Sequence, residues 1–237
     1  MSTQTSQIKG DGIIGDDKIK TTAGKTIDPD NTYNNVYAYT FASWLVRGQY
    51  SYKGRYMVSA SIRGDGSSRF APKKRWGYFP AASVGWRISD EEFMKNASWL
   101  NDMKIRASVG QTGNAQIGNS AYLMLYGTAN TDLGAGLTTT VYPKQIANDE
   151  LGWEKNTQYN VGLDASLWDG LLGLSADYYY SRTTDMLFDV PVSSVSGLTT
   201  SMMNIGSMQN TGVELTLTSR KSFGDFHYEF NANWSLN

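Results

Sequence analysis

Hydrophobic and polar residues alternate with a period of two along most of the chain from Tyr37 onward. One side of each alternating segment carries aliphatic and aromatic residues, and the other carries serine, asparagine, glutamine and most of the charges. Because successive side chains of a strand point to opposite faces, the pattern predicts an all-β chain. We expect about eight antiparallel strands, over 44–52, 56–63, 79–88, 103–109, 159–167, 172–181, 213–218 and 226–236.

The connections between these segments alternate between short turns and long loops. The predicted turns fall at 53–54, 169–170 and 221–224, and the loops occupy 64–78, 110–156 and 183–210. Transmembrane β-barrels have short turns on one side of the membrane and longer loops on the other, so this order favours a barrel. Tyrosine and tryptophan near strand ends favour it too, since those residues gather at membrane interfaces. A soluble β-sandwich is the alternative, because it shows the same one-sided alternation.

Residues 1–35 differ from the rest of the chain. They are polar and show no sustained period, which predicts a loop or disordered segment, followed by a partial barrel over 36–237. The stretch "MSTQTSQIKGDGIIGDDKIK" contains no apolar h-region, so no secretory signal peptide is expected. The chain is therefore expected to be either a protein that is not exported or an internal piece of a longer one.

The composition limits the classes of function that the chain can have. Aromatic residues make up 13% of the chain and charged residues 18%, with 24 glycines, which suits strands and turns. The net charge of −1 provides no global attraction to nucleic acid. The absence of cysteine excludes disulfides, thiolate zinc sites and a cysteine nucleophile.

Several short motifs are candidates for functional sites. Arg63-Gly64-Asp65 spells an adhesion tripeptide, but Arg63 continues the polar face of a predicted strand. The basic run 73–75 lies beside aromatic residues, a combination that binds single-stranded nucleic acid in some proteins and anchors a loop at a membrane interface in others. His227 is the single histidine, so a histidine-rich metal site is not expected. No catalytic, cofactor or metal residues are predicted, and an enzyme is not expected.

Six segments in order resemble the barrel of the SusC/RagA-type TonB-dependent outer-membrane transporters. The resemblance covers almost all of 36–237, and the ordered series is more specific than any one piece. The segments are "YSYKGRYMVSASIRGDGSSRF" (50–70), "RWGYFPAASVGWRISDEEFM" (75–94), "MKIRASVGQTGN" (103–114), "LGWEKNTQYNVGLD" (151–164), "ADYYYSRTTDMLF" (176–188) and "MQNTGVEL" (208–215).

The resemblance implies a share of a plugged barrel of roughly 22 antiparallel strands. Members of the family import oligosaccharides or peptides through the outer membrane. They work with a SusD-like surface lipoprotein and take energy from the TonB complex. A signal peptide, a TonB box and a plug are not recognised in this sequence, so a fragment of the barrel is expected, which by itself neither transports nor inserts stably.

On this interpretation the polar face lines a lumen. The charged residues expected there are Arg47, Arg63, Arg87, Arg106, Asp164 and Asp177. The long loops 64–78, 110–156 and 183–210 are expected to contact the substrate or the lipoprotein, although the individual substrate-binding residues are unknown. The alternatives are a siderophore or vitamin receptor, and a soluble β-sandwich that binds carbohydrate.

Overall fold

A single antiparallel sheet of eight strands dominates the structure, a computed structural model. Its strands are β5 (Phe41–Tyr52), β6 (Tyr56–Ser67), β7 (Trp76–Arg87), β8 (Leu100–Asn114), β11 (Glu154–Leu167), β12 (Leu172–Thr184), β15 (Ser207–Phe223) and β16 (Phe226–Leu236). The structure describes residues 2–7, 10–11, 26–27, 33–132, 134, 136–193, 195 and 197–237. The strands lie side by side in chain order, so the expected antiparallel sheet is confirmed.

The remaining strands form small two-stranded pairs. The pairs are β1 (Ser2–Gln7) with β4 (Tyr33–Ala38), β2 (Gly10–Asp11) with β3 (Thr26–Ile27), β9 (Leu125–Asp132) with β10 (Leu137–Gln145), and β13 (Leu187–Pro191) with β14 (Thr200–Asn204). Much of the segment 1–35, where a loop or disorder is predicted, lies outside the described residues.

The connections of the main sheet emerge at two different ends. The short turns after β5, β11 and β15 share one end with two 3₁₀ turns, Ile88–Asp90 and Glu92–Met94, that join β7 to β8. We call this the turn end. The connections 68–75, 115–153 and 185–206 all lie at the opposite end, which we call the loop end. The predicted alternation of short and long connections is therefore confirmed.

The strands run further into the predicted loops than the sequence indicated. β6 continues to Ser67, although Gly64 and Gly66 were placed in a loop. The reason is that two tryptophan rings cover these glycines: a Cβ on Gly64 would overlap the ring of Trp44, and one on Gly66 would lie 3.0 Å from the ring of Trp76. A strand glycine that an aromatic neighbour covers is stable, so glycine was a misleading loop signal here.

The two faces of the sheet differ in exposure in a way that excludes a β-sandwich. Along β6, Val58 and Ile62 on the apolar face are exposed, whereas Ser59 and Ser61 on the polar face are half-buried. A sandwich buries its apolar face against a second sheet. Here the apolar face points outward and the polar face is the sheltered one, as in a membrane barrel.

Aromatic residues border the exposed apolar face at both ends. Near the loop end the ring centroids of Trp44 and Tyr78 are 6.2 Å apart, and near the turn end those of Tyr52 and Tyr56 are 6.5 Å apart. Such borders are typical of membrane interfaces. The sheet is not closed within the described residues, since β5 and β16 each have one unpaired edge. Among the described helices, none has the length and apolar character to cross a bilayer.

Candidate functional site

The polar face of the main sheet forms a continuous hydrogen-bonding surface, which we call the inner wall. Its side chains come from alternate positions of neighbouring strands, so their register aligns them in rows. One such row joins Ser59 and Ser83, whose hydroxyl oxygens lie 2.8 Å apart across β6 and β7. Another joins β11 to β12, where Asn156 donates to Ser181 at 2.9 Å and to Thr183 at 2.8 Å.

Two adjoining cavities lie on the middle of the inner wall. They measure about 520 and 400 Å³, and each takes lining residues from β5 through β11. A cavity that spans five strands on one face requires the sheet to curve toward that face. The inner wall is therefore concave, as the interior of a barrel is.

An ion cluster on the inner wall brings together three of the predicted residues. Arg106 of β8 donates through Nε to Asp164 of β11 at 2.9 Å and through Nη2 to Asp177 of β12 at 2.6 Å. Ser175 donates to the Asp164 carboxylate at 2.7 Å, and the Arg106 Nη1 atom lies 3.4 Å from the side-chain oxygen of Asn160. The two carboxylates share one guanidinium, so the cluster is an electrostatic crosslink of three strands.

The other predicted arginines are spread along the inner wall. Arg47 lines both central cavities, and it lines one of them together with Arg106. Arg87 lies near the turn end, where its Nε is 3.1 Å from Asp102. Arg63 lies near the loop end, with its Nε 2.8 Å from Asp65. Arg63, Arg87 and Arg106 thus each have a carboxylate partner.

The adhesion interpretation of Arg63-Gly64-Asp65 is wrong. All three residues belong to β6, and Asp65 is 4% exposed. An adhesion tripeptide needs an exposed loop that presents both charges to a partner. Here the aspartate is buried on the inner face, where it binds its own arginine.

A buried apolar cluster at the loop end joins two of the long connections to the sheet. We call it the loop-end cluster; it comprises Phe70, Phe79, Ile117, Ala121, Leu151 and Trp153. Phe70 and Leu151 are fully buried, and the Trp153 ring packs against Phe70 and Phe79 at centroid distances of 5.2 and 5.5 Å. Sequence analysis missed this cluster, and the membrane-interface interpretation of the aromatic residues near 73–75 is wrong for Phe70 and Phe79, which are buried in it.

Hydrogen bonds fasten the three long connections to one another. Arg69 donates to the side chain of Asn119 at 3.0 Å and to the carbonyl of Ala115 at 3.1 Å. Asn204 donates to the carbonyls of Gly152 and Asp185 at 2.9 and 2.8 Å. The connections therefore form one packed unit rather than separate loops, which sequence analysis did not anticipate.

A third cavity lies between this unit and the inner wall. It measures about 730 Å³, and we call it the upper recess. Its lining combines the cations Arg63 and Arg69 with the aromatic residues Phe41, Phe79 and Trp153. It also contains amide side chains from the end of β8, so it can offer charge, stacking surfaces and hydrogen bonds to a ligand.

No metal site emerges from the described residues. Within the part of the chain that the structure describes, no group of three or more His, Asp or Glu side chains has a metal-binding arrangement. His227 lies 2.7 Å from the hydroxyl of Ser222 at the turn end, where it closes a hairpin.

Comparisons with known proteins agree with this geometry. The family model described as TonB dependent receptor-like, beta-barrel, matches residues 4–237. TonB-dependent receptor P39 of Formosa agariphila is 37% identical over 219 residues, covering 87% of this chain and 21% of its own length. SusC of Bacteroides thetaiotaomicron, also a TonB-dependent receptor, is 36% identical over 207 residues, covering 84% of this chain and 20% of its own length.

The solved structures point the same way. The structure of the RagAB peptide transporter aligns with a TM-score of 0.75 at 30% identity, covering 90% of this chain and 24% of that one. The chain spans about a fifth of the length of the curated relatives it matches.

Proposed function

The chain belongs to the TonB-dependent receptor-like β-barrel family, and we propose that it forms part of the wall and the outer connections of an outer-membrane importer of large nutrients. The observation that carries this proposal is that the sheet exposes its apolar face and shelters its polar face, the opposite of the arrangement in a soluble protein. Its apolar face is exposed where a bilayer would cover it, and its polar face is concave and lined with hydroxyl, amide and charged groups.

The orientation in the membrane follows from the lengths of the connections. Barrels of the outer membrane have short turns in the periplasm and long connections outside. The turn end therefore lies in the periplasm and the loop end faces the medium. On this assignment a substrate meets the loop-end unit first, then the upper recess, and afterwards the central cavities of the inner wall.

We propose oligosaccharides or peptides as the substrate class. The likeness to the RagAB peptide transporter supports peptides, and oligosaccharides are what the resemblance to the SusC/RagA-type family implies. The upper recess suits such ligands, because the exposed ring of Phe41 can stack on a sugar or side-chain surface while Arg63 and Arg69 offer charged donors. A siderophore or vitamin is less supported, since no described feature favours a small metal chelate.

The partners belong to the same proposal. A SusD-like surface lipoprotein would sit on the loop end, where the three connections offer a continuous packed surface. The TonB complex would act through regions of the longer protein, because this chain spans about a fifth of its relatives. The plug would occupy the space in front of the inner wall and contact the arginines that line it.

The test is uptake by cells from which the full-length receptor gene has been deleted. Reintroducing the receptor should restore uptake of one labelled oligosaccharide or peptide, and only in cells that have TonB. Exchanging 68–75, 115–153 and 185–206 together for those of a relative should move the preference to the substrate of that relative. Uptake of a siderophore alone, uptake without TonB, or a preference that stays with the rest of the barrel would overturn the proposal.

A further inference from the structure

A basic cavity lies on the outward face of the sheet at the loop end, on the opposite side from the inner wall. It measures about 460 Å³, and its lining includes the cations Lys73, Lys74 and Lys155, the carboxylates Glu150 and Asp185, and the aromatic residues Trp76 and Tyr78. The side chains of Trp76, Tyr78 and Lys155 share the outward face with the apolar residues of the membrane-facing surface. These strand residues therefore place part of the cavity lining on the membrane-facing side of the sheet.

The cations of this cavity lie just above the aromatic border. Tyr78 is 55% exposed and Trp76 is 47% exposed, and both precede the apolar stretch of β7. Lys73 and Lys74 come immediately before them in the connection 68–75. Aromatic side chains of this kind mark the depth at which acyl chains give way to headgroups. The lysines are thus at the depth of the headgroups.

A fourth cation extends the basic surface along the next strands. Lys155 of β11 is paired with Thr184 of β12, and Thr157 is paired with Arg182. Lys155 and Arg182 are therefore diagonal neighbours on the outward face, a relation in which Cα atoms are about 7–8 Å apart. Arg182 also follows Tyr180, whose ring centroid is 6.3 Å from that of Tyr159 on the outward face.

Carboxylates neutralise the surface incompletely. Lys74 is 2.7 Å from Glu150, and Lys155 is 3.8 Å from Asp185. Within the described part of the chain, Lys73 and Arg182 are in no salt bridge shorter than 4.0 Å. Two cations thus remain available in a region of net positive charge, although the whole chain has a net charge of −1.

We propose that this surface binds the phosphate group of a lipid in the outer leaflet of the outer membrane. Lys73, Lys155 and Arg182 would contact the phosphate, and Trp76, Tyr78 and Tyr180 would pack against the upper acyl chains. Long basic side chains suit this role, because their stems lie along apolar surface while their charged ends reach the headgroups. The inference goes beyond transport and rests on the proposed placement in the outer membrane.

The test is retention of lipid by the full-length receptor that contains this chain. The receptor is purified from outer membranes in mild detergent and mixed with a phosphorylated glycolipid or with the same glycolipid after removal of its phosphate, and bound lipid is counted by native mass spectrometry. The variant combines K73Q, K155Q and R182Q. Since each cation near a charged lipid surface contributes about 1 kcal/mol, we expect about fivefold weaker binding for each substitution and about 100-fold for all three.

A matched control removes three cations from the turn end, with K53Q, R220Q and K221Q. The control should retain the phosphorylated glycolipid as the unmodified receptor does, and the dephosphorylated glycolipid should not distinguish the three proteins. If the triple variant fails to give a heat-modifiable barrel, R182Q alone is used, with an expected fivefold loss.

Three results would overturn the proposal. The first is undiminished lipid binding by the variant with K73Q, K155Q and R182Q, and the second is an equal loss of lipid binding in the turn-end control. The third is displacement of the lipid by millimolar inorganic phosphate, which would indicate a site for free anions. A loss of lipoprotein capture with unchanged lipid would assign the surface to that partner instead. Nutrient uptake is measured in parallel with the double variant K155Q and R182Q, which changes no residue of the connections 68–75, 115–153 and 185–206. Uptake should be preserved in this variant, so failure of the lipid site and failure of the transport function are distinguishable.

Discussion

Arg106 and Asp177 meet across an intervening strand, directly above Gly162. The register of β8, β11 and β12 places Gly162 opposite both residues, and the salt bridge at 2.6 Å crosses the space where a side chain of β11 would lie. A Cβ atom on Gly162 would be 2.6 Å from Cζ of Arg106 and 2.7 Å from Oδ1 of Asp177. The ion cluster of the inner wall therefore requires glycine at this position.

The first prediction concerns Gly162→Ala in the full-length receptor. The added methyl group should displace the guanidinium and weaken the salt bridge with Asp177, while the bond between Arg106 and Asp164 remains. Because a hydrogen bond to a charged group contributes about 1.5–3 kcal/mol when buried, and this cluster is partly solvated, we expect a loss of about 1–2 kcal/mol. The measurement is the temperature at which the folded band disappears in a heat-modifiability assay.

Gly173→Ala is the matched control for this prediction. Gly173 lies in β12, and a Cβ there would be 3.6 Å from its nearest neighbour, an ordinary contact with Thr218. This substitution should leave the transition temperature within the error of the assay. Equal losses for the two alanine variants would show that the ion cluster contributes nothing beyond the general effect of replacing a strand glycine.

The second prediction concerns the loop-end cluster. Leu151 is fully buried against its aromatic neighbours, so Leu151→Ala leaves a cavity that costs about 2–5 kcal/mol. This cost acts on the packing of the connection 115–153 and not on the ladder hydrogen bonds of the strands. We expect proteolysis of this connection on intact cells to become at least about tenfold faster, while the barrel stays heat-modifiable.

Leu137→Ala tests whether this effect is specific to the buried position. Leu137 lies in β10 of the same connection and is 79% exposed, so its truncation should change stability by less than about 0.5 kcal/mol. If both variants are cleaved equally fast, or neither differs from the parent, the loop-end cluster does not hold the connection in place.

The third prediction concerns a carboxylate at the turn end. Glu91, between the two 3₁₀ turns, accepts hydrogen bonds from the Tyr56 hydroxyl at 2.5 Å, from Trp86 Nε1 at 3.0 Å and from Arg55 at 3.1 Å. These bonds, that of Tyr56 foremost, hold the pKa of the Glu91 carboxyl below its ordinary value. The carboxylate therefore fastens the connection between β7 and β8 to the aromatic border.

A lowered pKa fixes the direction of the pH dependence. The stabilisation by Glu91 is complete above the pKa of the unfolded chain, near 4.5, and is lost as the pH falls through the lower pKa of the folded state. Glu91→Gln should therefore be less heat-stable than the parent at pH 7, and the difference should shrink progressively as the pH falls below about 4.5. Glu92→Gln, at an exposed position beside Lys95, should match the parent throughout. A difference between Glu91→Gln and the parent that stays constant as the pH falls below 4.5 would contradict the assignment.

Sequence reasoning was most successful for properties that depend only on the position of a residue along its own strand. The alternation placed Arg106, Asp164 and Asp177 on one face, because side-chain direction in a strand depends on position alone. Their convergence into one cluster depends on the pairing of three strands, which the alternation does not specify. Gly162 shares this polar face, but the need for glycine there depends on Arg106 and Asp177, which flank it on the neighbouring strands.

The alternation of apolar and polar residues could not predict the loop-end cluster, for a different reason. Phe70 and Leu151 are far apart in the chain. Phe70 lies in a segment rich in serine and basic residues and Leu151 in one rich in glycine, asparagine and threonine, and neither segment has a period that indicates burial. Their contact depends on the closure of two long connections. Aromatic residues in otherwise polar connections were the available signal of burial. Their interpretation as residues at a membrane interface suits Trp76 and Tyr78 but does not extend to Phe79.

The central claim is that the polar face lines a lumen and the apolar face contacts lipid. Ser59 and Ser83 form a pair on the inner wall, and their neighbours Val58 and Val84 form a pair on the outward face. Because this chain has no cysteine, a single cysteine at each of these four positions in turn gives a unique labelling site within it. Cysteines elsewhere in the full-length receptor are first replaced with serine, and the spin label is then attached.

The most direct measurement is the accessibility of those labels in bilayers to lipid-soluble oxygen and to a water-soluble nickel chelate. We predict that labels at 58 and 84 favour oxygen and that labels at 59 and 83 favour nickel. A reversed alternation, or nickel access at all four positions, would contradict the account.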